Sequence, residues 1–280
     1  MKVFLAIASL GLALTGSALA QSYMVRGNGT AYTVDQKGFV YNMNLFVLPY
    51  MVTTRGGQFF TTEKREIVSV DENGFFYRLD PKEFEAPRKV QFSGYNYFAG
   101  SDGTVWTFDR QGLIYKGEPN WDYRKPLLSG GTYFVVSGGR NKPGRLIVAT
   151  DRGQLVETVV PNLDPAQIKD GGNNWFQTED GRVFTLSRDG FVYDKTSLLS
   201  RTKLALKGGV YFGQGAKLYT VAEDGMVSER GALSQYGTVT KTGHNYFLTK
   251  EGKVYTIDMQ GAVYERTSAL DFSNVTLTTF

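Results

Sequence analysis

The sequence predicts an all-β chain folded as a closed ring of seven repeated antiparallel sheet units. Three observations lead there: a composition suited to short strands and turns, one strand–turn unit that recurs seven times, and an incomplete first copy matched by an unclaimed strand at the C-terminus. The 280 residues include 33 Gly, 17 Tyr, 19 Phe and 8 Pro. Aromatic residues favour a pleated sheet, and Gly and Pro punctuate it.

The repeat is clearest near the end of the chain. Asn245-Tyr246-Phe247-Leu248-Thr249 is followed by a turn at Lys250-Glu251-Gly252, then Lys253 to Asp258, a second turn at Met259-Gln260-Gly261, and Ala262-Val263-Tyr264. Ser22 to Tyr41 aligns with this copy without a gap. The glycine of the second turn marks every copy: Gly38, Gly74, Gly112, Gly153, Gly190, Gly225 and Gly261. A second series, Met24, Phe60, Phe98, Phe134, Phe176, Phe212 and Phe247, marks the strand before it. Two independent markers agree on seven.

Each turn has residues that suit it. Asp35, Asp71, Asp109 and Asp258 stand three residues before the marker Gly, where a carboxylate accepts backbone N–H groups and Gly takes the positive φ. Ser187 and Ala222 take that place in copies five and six, and copy four reads as one residue shorter, Asp151-Arg152-Gly153. Asn28-Gly29, Asp102-Gly103, Asp180-Gly181, Gln214-Gly215 and Glu251-Gly252 close the preceding hairpins. Along Val254-Tyr255-Thr256-Ile257 both alternating sets are apolar enough to bury, which suits a sheet covered on both faces.

A fourth strand precedes each unit, as at Lys89 to Phe92, Leu204 to Lys207, Thr238 to Thr240 and Pro126 to Leu128. It is linked to its unit by a short hairpin, while the long links run on to the next unit. The first copy lacks this strand, and Asn274 to Phe280 is such a strand with no unit after it. The sequence therefore predicts that the C-terminal strand inserts into the first unit, closing the ring and removing exposed edges.

These repeats resemble the β-propeller superfamily over the whole chain after residue 20. The resemblance implies one domain of seven four-stranded antiparallel blades. No family within it matches: Trp121-Asp122 occurs once, in a connector, unlike a WD40 repeat, and Gly130-Gly131 and Gly208-Gly209 lack the spaced Tyr and Trp of kelch repeats.

The first twenty residues predict a compartment. Lys2, the apolar run Val3 to Leu14 and Ala18-Leu19-Ala20 before Gln21 form a signal peptide, residues 1–20, leaving a single domain at 21–280. Export to the periplasm or the extracellular space is expected, with no membrane span. The chain has no Cys, so disulfides, thiolate chemistry and a lipid anchor on Cys are excluded. A formal net charge of +4 is too small to suggest a nucleic-acid partner. A monomer without a cofactor is expected.

The site candidates are few. The one histidine, His244, sits in the hairpin position held by Gly57, Tyr95, Gly131, Asn173 and Gly209 in other copies, so a turn role tolerant of left-handed backbone is expected. One His and no Cys exclude a zinc site of the usual ligands, and one Asp per turn is too little for calcium. The long connectors carry Phe46, Tyr50, Phe84, Trp121, Tyr123 and Tyr236 with Arg88, Lys89, Arg124 and Lys125, and half of these aromatics are expected to pack between blades. The loop 138–145 adds Arg140, Lys142 and Arg145 on the same side. Trp121, Tyr123, Arg124, Arg140, Lys142 and Arg145 are thus the candidate ligand-binding residues.

The expected function is a non-enzymatic binding or scaffold module that recognises a protein or cell-envelope partner. A lectin-like module holding glycan against Trp121 and Tyr123 is one alternative. A hydrolase or lyase with acids gathered at the central funnel is another, kept open by Glu118, Asp122 and Glu157, which occur in single copies.

Overall fold

The computed structural model describes residues 23–25, 30–44, 51–79, 83–84, 86–138, 143–199, 202 and 204–266. These form seven antiparallel sheets, each a run of consecutive strands. Blade two shows the pattern: first strand Val52–Arg55, second Phe59–Thr62, third Ile67–Val70 and fourth Phe76–Arg78, in that spatial order. Blades two to seven have four such strands, and blade one shows Tyr23–Val25, Thr30–Val34 and Val40–Asn44. The chain is a seven-bladed β-propeller. Its C-terminal strand, predicted to complete blade one, lies outside the described residues, as does Asn28-Gly29.

The second strand holds the ring together through the period of two. Its first residue turns toward the following blade and the next residue, the Phe marker, toward the preceding one. Tyr23 meets Phe60, Phe59 meets Phe98, Tyr97 meets Phe134, Tyr133 meets Phe176, Trp175 meets Phe212 and Tyr211 meets Phe247, with ring centroids 4.9–5.9 Å apart. The seventh pair, Tyr246 with Met24, shares a buried cluster with Tyr32, Val34, Leu248 and Val254. Tilted aromatic pairs of this kind add about 0.5–1.5 kcal/mol each beyond their buried area. Polar tips are satisfied across the same seams. Tyr97 Oη donates to Tyr133 O at 2.6 Å, Tyr211 Oη to Tyr246 O at 2.7 Å and Tyr246 Oη to Tyr23 O at 3.3 Å.

Hydrogen bonds join blade seven to blade one. Met259 N donates to Gln36 O at 2.8 Å, Thr256 Oγ1 to Gly38 O at 2.7 Å and Asn245 Nδ2 to Asp35 O at 3.0 Å. The third-strand hydroxyl recurs at other seams, as with Ser69 Oγ to Gly112 O and Thr185 Oγ1 to Gly225 O, both at 2.7 Å.

The Asp turns form as their residues predict. Asp71 Oδ1 accepts from Asn73 N at 2.9 Å and Phe75 N at 2.8 Å. Its other oxygen accepts from Tyr77 Oη at 3.0 Å, so the Tyr of the fourth strand belongs to the same motif. Asp35, Asp109 and Asp258 repeat all three bonds, and every marker Gly has φ between 73° and 89°. Asp71→Ala is expected to destabilise the protein by about 2 kcal/mol, because it strands two N–H groups and one hydroxyl. Chemical denaturation of that variant against Asp71→Asn, which keeps one acceptor, checks it.

Copy four corrects the sequence reading. Thr150, not Asp151, stands at the turn start: Gly153 N donates to Thr150 O at 3.0 Å, and Thr150 Oγ1 accepts from Gln154 N at 3.2 Å. The copy is not shortened. Thr replaces Asp, and Asp151 is moved one place on, into the centre of the ring.

Candidate functional site

Two sets of turns meet around the ring axis. The residue after each turn start forms a closed circle of backbone hydrogen bonds: Gln36 N to Glu72 O, Glu72 N to Arg110 O, Arg110 N to Asp151 O, Asp151 N to Arg188 O, Arg188 N to Glu223 O, Glu223 N to Met259 O and Met259 N to Gln36 O. Their N···O distances are 2.8–3.2 Å. Five successive members are charged and alternate in sign, from Glu72 to Glu223. Arg188 pairs with Glu223 at 3.1 Å and Arg110 with Glu72 at 3.6 Å. Asp151 stands between the two arginines, and its Oδ1 is buried with no hydrogen-bond partner. Burial pushes the Asp151 carboxyl up to about 6; Glu223 adds to the shift, and Arg188 opposes it. Burial also raises Glu223, against the pull of Arg188.

The first-to-second-strand turns of blades two to seven form a second series of backbone bonds around the axis, such as Gln58 N to Tyr95 O, Asn173 N to Gly209 O and Val210 N to His244 O. Large and small residues alternate around it in blades two to seven: Gly57, Tyr95, Gly131, Asn173, Gly209, His244. Tyr95 stacks on His244 at 4.2 Å, although they belong to blades three and seven, so both reach the axis. Asn173 Nδ2 donates to His244 Nδ1, which leaves the ring proton on Nε2. Burial pushes His244 down to about 3, so the imidazole is neutral at ordinary pH. The glycines make room for these groups: a Cβ on Gly57 would fall 1.8 Å from the Tyr95 ring.

This corrects the expected role of His244. It has no left-handed backbone, since Arg65 and Asn162 are the non-glycine residues with positive φ among those described. It stands in its turn because its ring fills the axis. Three side chains plug the channel, and a chamber of about 130 Å³ lies against the plug and the charged ring. Gln58, Asn96, Thr132, Asn174, Val210 and Asn245 supply much of its wall.

A pH dependence follows. An acid whose pKa is raised on folding opposes folding when ionised, fully above about pH 6 and less as pH falls toward about 4, where it is protonated in both states. Discounted for solvent screening, Asp151→Asn is expected to stabilise the protein by about 1–2 kcal/mol at pH 7.5. Thermal unfolding across pH 4–8 should show that gain vanish near the acidic end.

The predicted connector cluster is partly assembled. Trp121 and Arg124 lie on a short 3₁₀ helix, Trp121–Arg124, capped by Asn120 Oδ1. Trp121 is 76% exposed, with the Arg124 guanidinium 3.6 Å above its ring and Arg124 Nε bonded to Asp102 O at 3.0 Å. Tyr123 instead packs edge-on against Phe134, and Arg145 is engaged by Asp122 and Glu157. Phe84 and Tyr236 also pack against buried clusters. Arg140, Lys142, Phe46 and Tyr50 lie outside the described residues.

Sequence reasoning missed the charged ring. Its members were visible only as the residue after each turn start, and the copy-four offset hid Asp151. The acids around the axis are Glu72, Asp151 and Glu223, with the turn carboxylates Asp71 and Asp258, rather than Glu118, Asp122 or Glu157. Glu72 and Glu223 are paired with arginines, while Asp151 Oδ1 has no hydrogen-bond partner. Among the described residues no group of three His, Cys, Asp or Glu side chains is placed to hold a metal, and no helix is long and apolar enough to cross a membrane.

No protein-family model and no curated protein matches the chain. Solved structures give distant likenesses. A streptogramin B lyase structure is 17% identical, with 91% of this chain and 95% of that one covered and a TM-score of 0.35. A catalytically inactive virginiamycin B lyase from Staphylococcus aureus with quinupristin is 14% identical over 90% and 96%, with a TM-score of 0.36. YCF48 bound to D1 peptide is 12% identical over 93% and 94%, with a TM-score of 0.26. The assignment as a seven-bladed propeller rests on the blades and on the closed circle of seven backbone bonds.

Proposed function

We propose that this chain is an exported, non-enzymatic binding propeller that recognises a polypeptide partner through the turns around its axis. One observation carries the reading. The residue after the marker Gly is apolar and open to solvent in five blades: Phe39, Phe75, Leu113, Phe191 and Met226 are 49–65% exposed. They stand on the same turns as the charged ring. Tyr41 lies 6.4 Å from Phe75, extending the apolar surface from one blade to the next. Large apolar side chains repeated around a charged centre suit an interface with an apolar zone and polar anchors. Screening a peptide array from envelope proteins tests the reading. Phe75→Ala combined with Phe191→Ala should weaken the best ligand by about tenfold or more, and Trp121→Ala should leave it unchanged. The reverse pattern would move recognition to the connector side.

The Trp121–Arg124 stack favours a second, lectin-like reading, since an exposed indole beside hydrogen-bonding groups suits a sugar ring. Saturable, salt-resistant polysaccharide binding that disappears in Trp121→Ala would establish it. Its absence across a broad panel removes it.

A further inference from the structure

Among the described residues, the buried side-chain atoms on the chamber wall that lack a partner are all hydrogen-bond acceptors. Asn96, Asn174 and Asn245 occupy the same place in blades three, five and seven, just before the second strand. Each spends its Nδ2 on the following blade: Asn96 on Ala149 O at 3.0 Å and Thr150 O at 3.1 Å, Asn174 on Val221 O at 3.1 Å, Asn245 on Asp35 O at 3.0 Å. Each therefore keeps its Oδ1 for something else, and all three Oδ1 atoms are buried without a partner. Asn96 is 2% and Asn245 6% exposed. Of the other three buried oxygens without a partner among the described residues, Thr33 Oγ1, Gln214 Oε1 and Asp151 Oδ1, the last also belongs to the chamber wall. Asn96, Asn174, Asn245 and Asp151 thus all line the chamber. Buried acceptors left empty are costly, and a charge left unpaired is costlier.

The charges point the same way. Glu72 and Glu223 have their arginines, so the carboxylate whose oxygen lacks a donor is Asp151. At the far side the Tyr95–His244 stack presents aromatic rings and a neutral imidazole. A group that answers these four oxygens is small, positive and rich in N–H donors.

We infer that the chamber receives one alkylammonium or guanidinium group, entering through the charged ring and donating to Asp151 and the asparagine oxygens. The inference rests on the axial reading above and deepens it: on a polypeptide partner the group is a Lys or Arg side chain or a free N-terminus, and the apolar turn tips grip the chain around it.

Calorimetric titration of the full chain with n-butylammonium, tetramethylammonium and 1-butanol tests this. Butylammonium should bind saturably. Tetramethylammonium, which has no N–H, and butanol, which has no charge, should not. Asp151→Asn should weaken butylammonium by about tenfold or more, the size of a charge-assisted hydrogen bond, while its unfolding curve shows that it is folded. An equal response to tetramethylammonium, full affinity in Asp151→Asn, or no saturable response to any probe would overturn the inference. The two readings fail separately. If replacing Lys by norleucine in an array peptide leaves its affinity intact, the cation site falls and the polypeptide reading stands. If butylammonium binds but the Phe75/Phe191 variant keeps its peptide, the axial polypeptide reading falls and the cation site stands.

Discussion

Gly209→Ala is expected to destabilise the protein by about 3 kcal/mol and to lower its melting temperature by about 6–12 °C. A Cβ there would lie 2.6 Å from His244 Cα, 2.6 Å from His244 Nδ1 and 2.7 Å from His244 O. Two of those atoms are backbone and cannot swing away. They also belong to the series of backbone bonds around the axis, since Val210 N is bonded to His244 O at 2.9 Å. Relief therefore means breaking that series at the plug. Gly252→Ala is the control: its φ is 78°, but nothing lies within 4 Å of the added carbon. It should show backbone strain alone, about 1–2 kcal/mol. Differential scanning calorimetry of both variants checks the difference. Adding His244→Ala to Gly209→Ala should recover only part of the loss, because the backbone contacts persist.

Tyr246→Ala should cost about 3–5 kcal/mol, the range for emptying a large buried aromatic site. The residue is fully buried, donates to Tyr23 O and packs with Met24, Tyr32 and Val34 across the seam where the last blade meets the first. Tyr246→Phe removes only the hydroxyl and should cost about 1 kcal/mol. The two variants separate packing from hydrogen bonding at the seam. Equilibrium unfolding should remain one transition for Phe, whereas the Ala variant should begin to lose its first and last blades before the others.

Much of the architecture was legible because its signals are local. The Asp, the marker Gly and the Val-Tyr pair sit within seven residues, and the Tyr-Phe pair is adjacent, so each turn and strand could be read from its own copy. The axis was not legible for the opposite reason. Tyr95 and His244 stack across about 150 positions of sequence, and nothing in either copy announces the other. Gly57 and Gly209 looked like turn glycines, yet they are small because a neighbouring blade fills their space. Asp151 was assigned to the turn itself, since an acid two places before Gly resembles the Asp of the other copies; Thr150 forms that turn equally well. Of the connector residues, Trp121 is exposed and carries the half-buried Arg124 over its ring. Tyr123 was claimed by Phe134, a contact set by the curvature of the ring and invisible in its own segment.

Site-specific photo-crosslinking in cells tests the central claim, that the turns around the axis are the recognition surface. A benzophenone side chain placed at Phe75, and separately at Trp121, reports which side touches the partner. The account predicts an adduct from position 75 that excess unlabelled protein suppresses and a Phe75→Glu/Phe191→Glu variant does not. An adduct from position 121 alone, suppressed equally by both competitors, would contradict it.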